Sequence, residues 1–259
     1  MMGHKVYTTY PEGSRFHLFL YHTETGDLLA IIEASWHGLL RTGAATGVAT
    51  KYLARRDARS VGIIGSGAHA RTQLEAVCAV RPIRRAHVYS PTPEHRRRFA
   101  AEMAASLDIE VAAVESAQEA VGGMDIVITA TKSPAPVLRG DWLEPGAHLN
   151  AMGSNSLLRR ELDPLSVERA TLIVADSVEQ LRLEGGDLLA SIVSGKLRWG
   201  QIVPLGSIVA ARHPGRQAES DITLFKSSGL GAQDVALGAV IYQRAVERGV
   251  GAELPESAR

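Results

Sequence analysis

From residue 60 onward the chain alternates short, largely apolar runs with longer stretches whose apolar positions recur at helical spacing. The runs at 61–64, 86–89, 109–113, 125–131, 148–152 and 171–175 predict strands, and 71–80, 93–106 and 117–121 predict helices between them. Strands with little polar alternation are covered on both faces, and strands separated by helices pair in parallel. Before residue 55 the pattern differs. Residues 4–9, 16–21 and 28–33 predict an antiparallel meander, with a turn at 23–27. Residues 39–54, rich in Ala, Gly and Thr, predict a closely packing helix, and the Ala-rich 233–249 a closing one. The tail 253–259 predicts no element, and no internal repeat is present. The expected class is α/β, with a doubly wound parallel sheet over 56–228 and a smaller α+β domain from 1–55 plus 229–259. The polar break at 55–59 marks the boundary.

The junction of the first of these strands with its helix, SVGIIGSGAHARTQLEAV at 60–77, carries the sharpest signal. Gly65, Gly67 and Ala70 fill the G-x-G-x-x-G/A pattern of a dinucleotide-binding, Rossmann-type turn. Gly65 permits the tight turn, Gly67 has no Cβ to obstruct a pyrophosphate, and Ala70 lets the helix approach the sheet. The helix start then aims free N–H groups and its positive dipole end at the phosphates. Cofactor contacts are therefore expected from Gly65, Ser66, Gly67, Ala68 and His69. His69 could equally be an exposed turn residue.

Composition narrows the alternatives. The 259 residues are 45% hydrophobic and 22% charged, with formal net charge zero, so no bulk attraction to nucleic acid or anionic membrane is expected. No stretch approaches the ~20 apolar residues of a membrane span, and no signal peptide opens the chain, which predicts a cytoplasmic protein. Cys78 stands alone, excluding an intrachain disulfide, and its apolar neighbours predict a buried small hydrophobe. The histidines are scattered without ligand spacing, so no metal is expected. His87 and His148 fall on predicted buried strands as hydrogen-bonded core residues. Asp234, at a helix start, is expected to cap it.

The strand after the glycine-rich helix should end in the residue that reads the adenosine ribose. An acid there would accept from both ribose hydroxyls and repel a 2′-phosphate. Here the strand ends at Ser90, followed by Pro91, Thr92 and the run Arg96-Arg97-Arg98. Hydroxyls with a guanidinium suit a phosphate-bearing ribose. The expectation is NADP(H) preferred, with NAD(H) possible and Ser90, Thr92 and Arg96 as its readers. The alternative is that 96–98 form a solvated helix face.

Several segments together resemble the ornithine cyclodeaminase / mu-crystallin family: RTGAATGVATKYLA at 41–54, NAMGS at 150–154, EGGD at 184–187, PGR at 214–216 and ITLFKSSG at 222–229. The resemblance runs from about residue 3 to 249. It implies an NAD(P)-dependent oxidoreductase acting on a small amino or imino acid, as a homodimer formed through the first domain. By the same resemblance Arg41 pairs with the substrate carboxylate and Lys5 lies beside the substrate as proton donor or second carboxylate contact. Thr42 and Ser227 then contact the nicotinamide end. Thr129, Ala130 and Thr131, with Met152 and Gly153, sit at strand tips where open α/β sheets bind ligands.

Two departures shape the expectation. Cyclodeaminases of the family carry an aspartate where this chain has Asn155, and an amide cannot take a proton at neutral pH. That favours imine reduction, of ketimine or pyrroline-2-carboxylate type, over conversion of ornithine to proline and ammonia. The chain also begins where family members already have an N-terminal stretch, so a shortened member is expected. This keeps a cofactor-dependent binding protein of mu-crystallin type among the alternatives.

Overall fold

The computed structural model describes residues 1–253; positions 254–259, most of the expected loose tail, lie outside the described residues. The chain divides into two compact units, one from Met1–Arg41 with the chain from Gly229 on, the other Thr42–Ser228. The division falls between Arg41 and Thr42, where the sequence pattern placed the break at 55–59. In the smaller unit β1 (Met2–Tyr10), β2 (Gly13–Tyr21) and β3 (Leu28–Glu33) pair antiparallel in that order. Helix α1 (Ser35–Leu53) follows, starting earlier than its small-residue stretch.

The larger unit takes α1 from Thr42 and adds β4 (Ser60–Ile64), α2 (Ala68–Cys78), β5 (Arg85–Tyr89), α3 (Pro93–Leu107), β6 (Glu110–Ala113), α4 (Ala117–Val121) and β7 (Ile126–Thr129). Then come β8 (His148–Ala151), α5 (Pro164–Glu168), β9 (Leu172–Ala175), α6 (Val178–Glu184), α7 (Gly186–Val193), β10 (Val203–Pro204), α8 (Leu205–Val209) and β11 (Thr223–Lys226). The eight strands form one sheet in the order β10-β9-β11-β8-β7-β4-β5-β6, every pairing parallel. The expected α/β architecture is present. Two strands were missed: β10 has only two residues, and β11 inserts between β8 and β9 although its four residues end in a lysine and show no usable period.

Alternate residues of the central strands face opposite layers. Val61, Ile63, Ile126 and Ile128 pack with Leu74, Val77 and Phe99 on one side. Val127, Leu149 and Leu224 pack with Leu138, Leu162 and Leu188 on the other. Each such side chain, fully buried, stabilises the fold by about 1.5–3 kcal/mol. Helix α1 lays Ala45, Ala49 and Leu53 against Val174 and Phe225. Its glycines let it approach α2: a Cβ on Gly43 would stand 2.6 Å from the Thr72 carbonyl oxygen. The polar stretch before β4 is pinned by Asp125, which accepts from the N–H groups of Arg59 (2.9 Å) and Ser60 (3.0 Å) and the Ser60 hydroxyl (2.8 Å).

In the smaller unit the closing helix α9 (Gly231–Arg248) lies on the antiparallel sheet. Gly238 sits directly against Leu18 and Leu20, and a side chain there would collide with Leu18. Leu18, Leu20 and Ala34 form that core, with Phe16, Val235 and Tyr242 at its edge.

The histidines divide as their strands do. His87 is half-buried, its Nδ1 3.3 Å from the Glu119 carbonyl. His148 is fully buried, with Nδ1 2.9 Å from Thr223 Oγ1 and Nε2 3.2 Å from Asn150 Oδ1. Burial first, and the positive charge of Arg216 second, push its pKa down to about 3. Unfolded, the same imidazole titrates near about 6.5. Protons therefore bind the unfolded state first, and stability falls as pH drops below that value. Urea midpoints at pH 7.5 and 5 are expected to differ less in His148→Gln than in the wild type, although the variant is weaker at pH 7.5.

Candidate active site

The glycine turn joins β4 to α2 as its spacing predicts. Gly65 has φ +116°, the left-handed region open to glycine, and packs against the Ala130 carbonyl at the end of β7. Gly67 has ordinary backbone, φ −79°, and a Cβ there would meet nothing within 4 Å. No side chain caps α2, so its first N–H groups face that open space. Arg71 braces the turn by donating to the carbonyls of Ser66 (2.8 Å) and Gly67 (3.3 Å) and to Glu102. Ala68 and His69 are exposed, and Ser66 donates to the Ser90 hydroxyl at 2.8 Å, joining the turn to the end of β5. The open, donor-rich cradle fits a dinucleotide pyrophosphate.

The ribose-reading group departs from expectation in one member. Ser90 is buried at the tip of β5 and Thr92 is exposed, but the Arg96 side chain turns inward and is only 3% exposed. It donates to the Ser90 carbonyl at 3.0 Å, pairs with Glu115 and lies over the Tyr89 ring. The helical phase of α3 explains this: Arg96 shares a face with Phe99 and Ala100, whereas Arg97 and Arg98 are exposed. Arg96 is thus committed within the fold, and neither a free phosphate clamp nor a solvated face describes it.

At the C-terminal edge of the sheet, a buried acid that the sequence reading missed gathers the expected residues. Glu161 accepts from the hydroxyls of Thr129 (2.9 Å) and Thr131 (2.7 Å) and from the N–H groups of Thr131 (2.6 Å) and Gly153 (2.7 Å). Burial pushes its carboxyl above the usual range, against the pull of the Lys226 ammonium and the Thr131 bonds. Lys226, fully buried, lies 2.9 Å from Asp187 and donates to the carbonyls of Ala151 (3.3 Å) and Ser154 (2.5 Å). Asp187 Oδ1 accepts from the N–H groups of Glu161 and Leu162. At the next tips Ser227 donates to Asp176 at 2.6 Å. Ala130, Met152 and Gly153 are half-buried beside this network, Asn155 is exposed, and Thr42 is buried at the start of the larger unit. Lys226 and Asp187 lie in quoted family segments, but nothing local marks either as buried.

The smaller unit brings Lys5, Arg41 and Asp234 together. Lys5 Nζ lies 2.9 Å from Asp234 Oδ1, Arg41 Nε 3.5 Å from the same oxygen, and His37 Nδ1 3.3 Å from it. Arg41 also donates to Gln233 Oε1 at 3.1 Å, and its guanidinium lies against Gly229, whose φ is +85°. The capping reading of Asp234 is therefore wrong. Helix α9 starts at Gly231, which places Asp234 one turn in, with its side chain among cations. A carboxylate near a helix N-terminus is favoured by the dipole. Burial alone would raise its pKa, but the close approach of His37, the hydrogen bond from Lys5 and the charges of Lys5 and Arg41 hold it below the usual value.

Cys78 is half-buried, and burial pushes its thiol up to about 11, so it is no nucleophile. Among the described residues no group of three His, Cys, Asp or Glu side chains could hold a metal ion, and no helix is long and apolar enough to cross a membrane.

Comparison with known proteins places this geometry. Residues 2–249 match the model of the ornithine cyclodeaminase/mu-crystallin family. A Bacillus cereus Δ1-pyrroline-2-carboxylate reductase is 36% identical over 258 residues, covering 96% of this chain and 79% of that protein. The structure of the Thermococcus litoralis Δ1-pyrroline-2-carboxylate reductase with NADH and L-proline superposes with TM-score 0.91 at 42% identity, covering 96% of this chain and 80% of that one. The NAD⁺ complex of the Paracoccus denitrificans iminosuccinate reductase gives TM-score 0.91 at 30% identity, covering 98% and 79%. The chain belongs to the ornithine cyclodeaminase/mu-crystallin family.

Proposed function

We propose that this chain is a nicotinamide-dependent oxidoreductase that reduces a small imino acid of ketimine or pyrroline-2-carboxylate type, or oxidises the matching amino acid. The observation that carries the proposal is the pair of cations, Lys5 and Arg41, gathered at partly buried positions around one acid. That surplus of positive charge suits a ligand bearing a carboxylate. Arg41 offers its planar fork of donors to it. Lys5 keeps one N–H on Asp234 and has two more, enough to reach the carboxylate and to protonate the imine nitrogen. A reduced nicotinamide, when bound, supplies the hydride that adds to the imine carbon. Thr42, Thr129, Ala130, Thr131, Met152, Gly153 and Ser227 line the bed proposed for it. Ser227 gives its own proton to Asp176 and so presents lone pairs to an incoming donor.

For the cofactor we favour NADP(H), with NAD(H) accepted. No carboxylate stands at the tip of β5 to repel a 2′-phosphate, and Ser90 and Thr92 stand there instead. The solved relatives carry NADH or NAD⁺, so modest discrimination is expected. Asn155 favours reduction over ornithine cyclisation, because an amide exchanges no proton near neutral pH. The proposal includes a cytoplasmic homodimer; an archaeal alanine dehydrogenase of this fold is a dimer with bound NAD. The deciding assay follows the reduced-nicotinamide absorbance with Δ1-pyrroline-2-carboxylate and a panel of open-chain imino acids. Ammonia from ornithine without net absorbance change would make the chain a cyclodeaminase. Tight cofactor binding with no turnover on any substrate would make it a binding protein.

Arg41→Met is expected to weaken the imino acid by about 1.5–3 kcal/mol in kcat/KM, the worth of a charge-assisted carboxylate pair. Cofactor affinity, measured by fluorescence titration, stays near the wild type, and its loss would assign Arg41 to the fold instead. Ser90→Asp is expected to shift the NADPH-to-NADH affinity ratio toward NADH by about tenfold or more, through repulsion of the 2′-phosphate. Gly67→Val should melt like the wild type, since its backbone is unstrained and its surroundings open, yet bind either dinucleotide about tenfold or more weakly. Gly65→Val, at φ +116°, should lose thermal stability as well.

A further inference from the structure

An acid in the middle of a carboxylate-binding cluster works against the binding that the cluster is proposed to perform. Asp234 competes with the substrate for Lys5 and Arg41, and its presence therefore calls for another role. The geometry gives it one. A single oxygen, Oδ1, takes the Lys5 ammonium at 2.9 Å, the shortest of its three nitrogen neighbours. His37 Nδ1 approaches the same oxygen at 3.3 Å and Arg41 Nε at 3.5 Å. The Asp234 and His37 side chains are only 9% and 1% exposed, whereas Lys5 is 18% exposed. Behind the reactive lysine stands a buried acid, and behind the acid a buried imidazole.

The strands explain why Lys5 needs such support. It lies on β1, an edge strand whose neighbouring positions His4 and Val6 are exposed. A four-carbon side chain on that edge loses rotamer freedom when fixed. Asp234, anchored in the first full turn of α9, supplies a fixed acceptor that selects one rotamer. His37, on the first turn of α1, sets its ring against the acid, Nδ1 3.3 Å from the same oxygen.

We infer that Asp234 and His37 are positioning residues for Lys5, and that Asp234 trades substrate affinity for alignment of the proton donor. The inference rests on the proposed role of Lys5 in imine reduction. In that reaction the imine nitrogen gains the Lys5 proton and its carbon gains the hydride, so the C=N double bond becomes a C–N single bond. The nicotinamide leaves oxidised by two electrons, and water returns the proton to Lys5.

The consequence is a split that loss of structure would not give. Lys5, Arg41 and Asp234 sum to one positive charge; removing the acid leaves two. Asp234→Asn should therefore lower kcat for Δ1-pyrroline-2-carboxylate by about tenfold or more, within the range of general-acid effects. KM for the imine should hold or fall, and the Kd for NADH should stay unchanged. In a Lys5→Met background the same substitution should add no further loss of kcat, because its effect passes through the lysine. Asp234→Glu should restore part of the rate. His37→Gln leaves the charges of Lys5, Arg41 and Asp234 in place and should lower kcat several-fold at constant KM, and it carries the test if Asp234→Asn does not fold. An unchanged kcat in Asp234→Asn with Lys5→Met inactive would overturn this inference and leave the proposed function standing. A raised KM, or a loss additive with Lys5→Met, would overturn it too, as a structural role. Full activity in Lys5→Met would instead remove the reading of Lys5 on which the inference rests.

Discussion

Lys226 has no exposed surface, and the sheet edge where ligands bind in open α/β folds is arranged around that fact. A buried ammonium costs several kcal/mol unless paired and hydrogen-bonded. It forms an ion pair with Asp187 from α7 and donates to the carbonyls of Ala151 and Ser154 after β8. Satisfying one lysine thus ties β11 to the β8 loop and to a helix more than thirty residues earlier in the chain. The second acid, Glu161, completes the set by holding Thr129, Thr131 and Gly153. Loops that would otherwise be the softest parts of the molecule are held by buried charge. Positioning of this kind is what a hydride-transfer bed requires, since misplacement by about 1 Å can cost a hundredfold in rate.

The molecule contains a second lysine–aspartate pair, and the contrast between the two separates structure from chemistry. Lys226 and Asp187 are both fully buried, and the lysine also donates to two backbone carbonyls. Lys5 and Asp234 keep the same 2.9 Å separation, but Lys5 retains exposure. The first pair is sealed from solvent; the second is open to it on the lysine side. Distance alone would not have distinguished them. Exposure does.

Much of the larger unit was legible because its signals are local. The glycine turn, the apolar strands and the helices α2 to α4 each declare themselves within a dozen residues. The antiparallel meander was legible for the same reason. What escaped depends on partners far apart in sequence. Strand β11 has four residues, and its central place follows from pairing with β8 and β9. Glu161 reads as an ordinary loop acid until Thr131, thirty residues earlier, is brought to it. Asp234 reads as a cap until β1 delivers Lys5 across 229 positions. Family resemblance pointed to Lys5 and Arg41 but was silent on the acid between them. A buried carboxylate leaves no period, turn or spacing by which to find it.

Arg96 shows the converse, a strong local signal that tertiary structure reassigns. Three consecutive arginines beyond a strand tip look like a phosphate site, yet helical phase sends the first inward beneath Tyr89 and onto Glu115. Its charge is then paired with Glu115 and its terminal nitrogens are engaged by Ser90 and Glu115, so it offers a 2′-phosphate little that is specific. Discrimination between the two dinucleotides must then rest mainly on what Ser90 is not. A hydroxyl neither repels a phosphate nor accepts from both ribose hydroxyls as a carboxylate would. A site built on the absence of repulsion is permissive. That is the physical reason to expect both cofactors to bind, with the balance set by a few polar groups rather than by one guanidinium clamp.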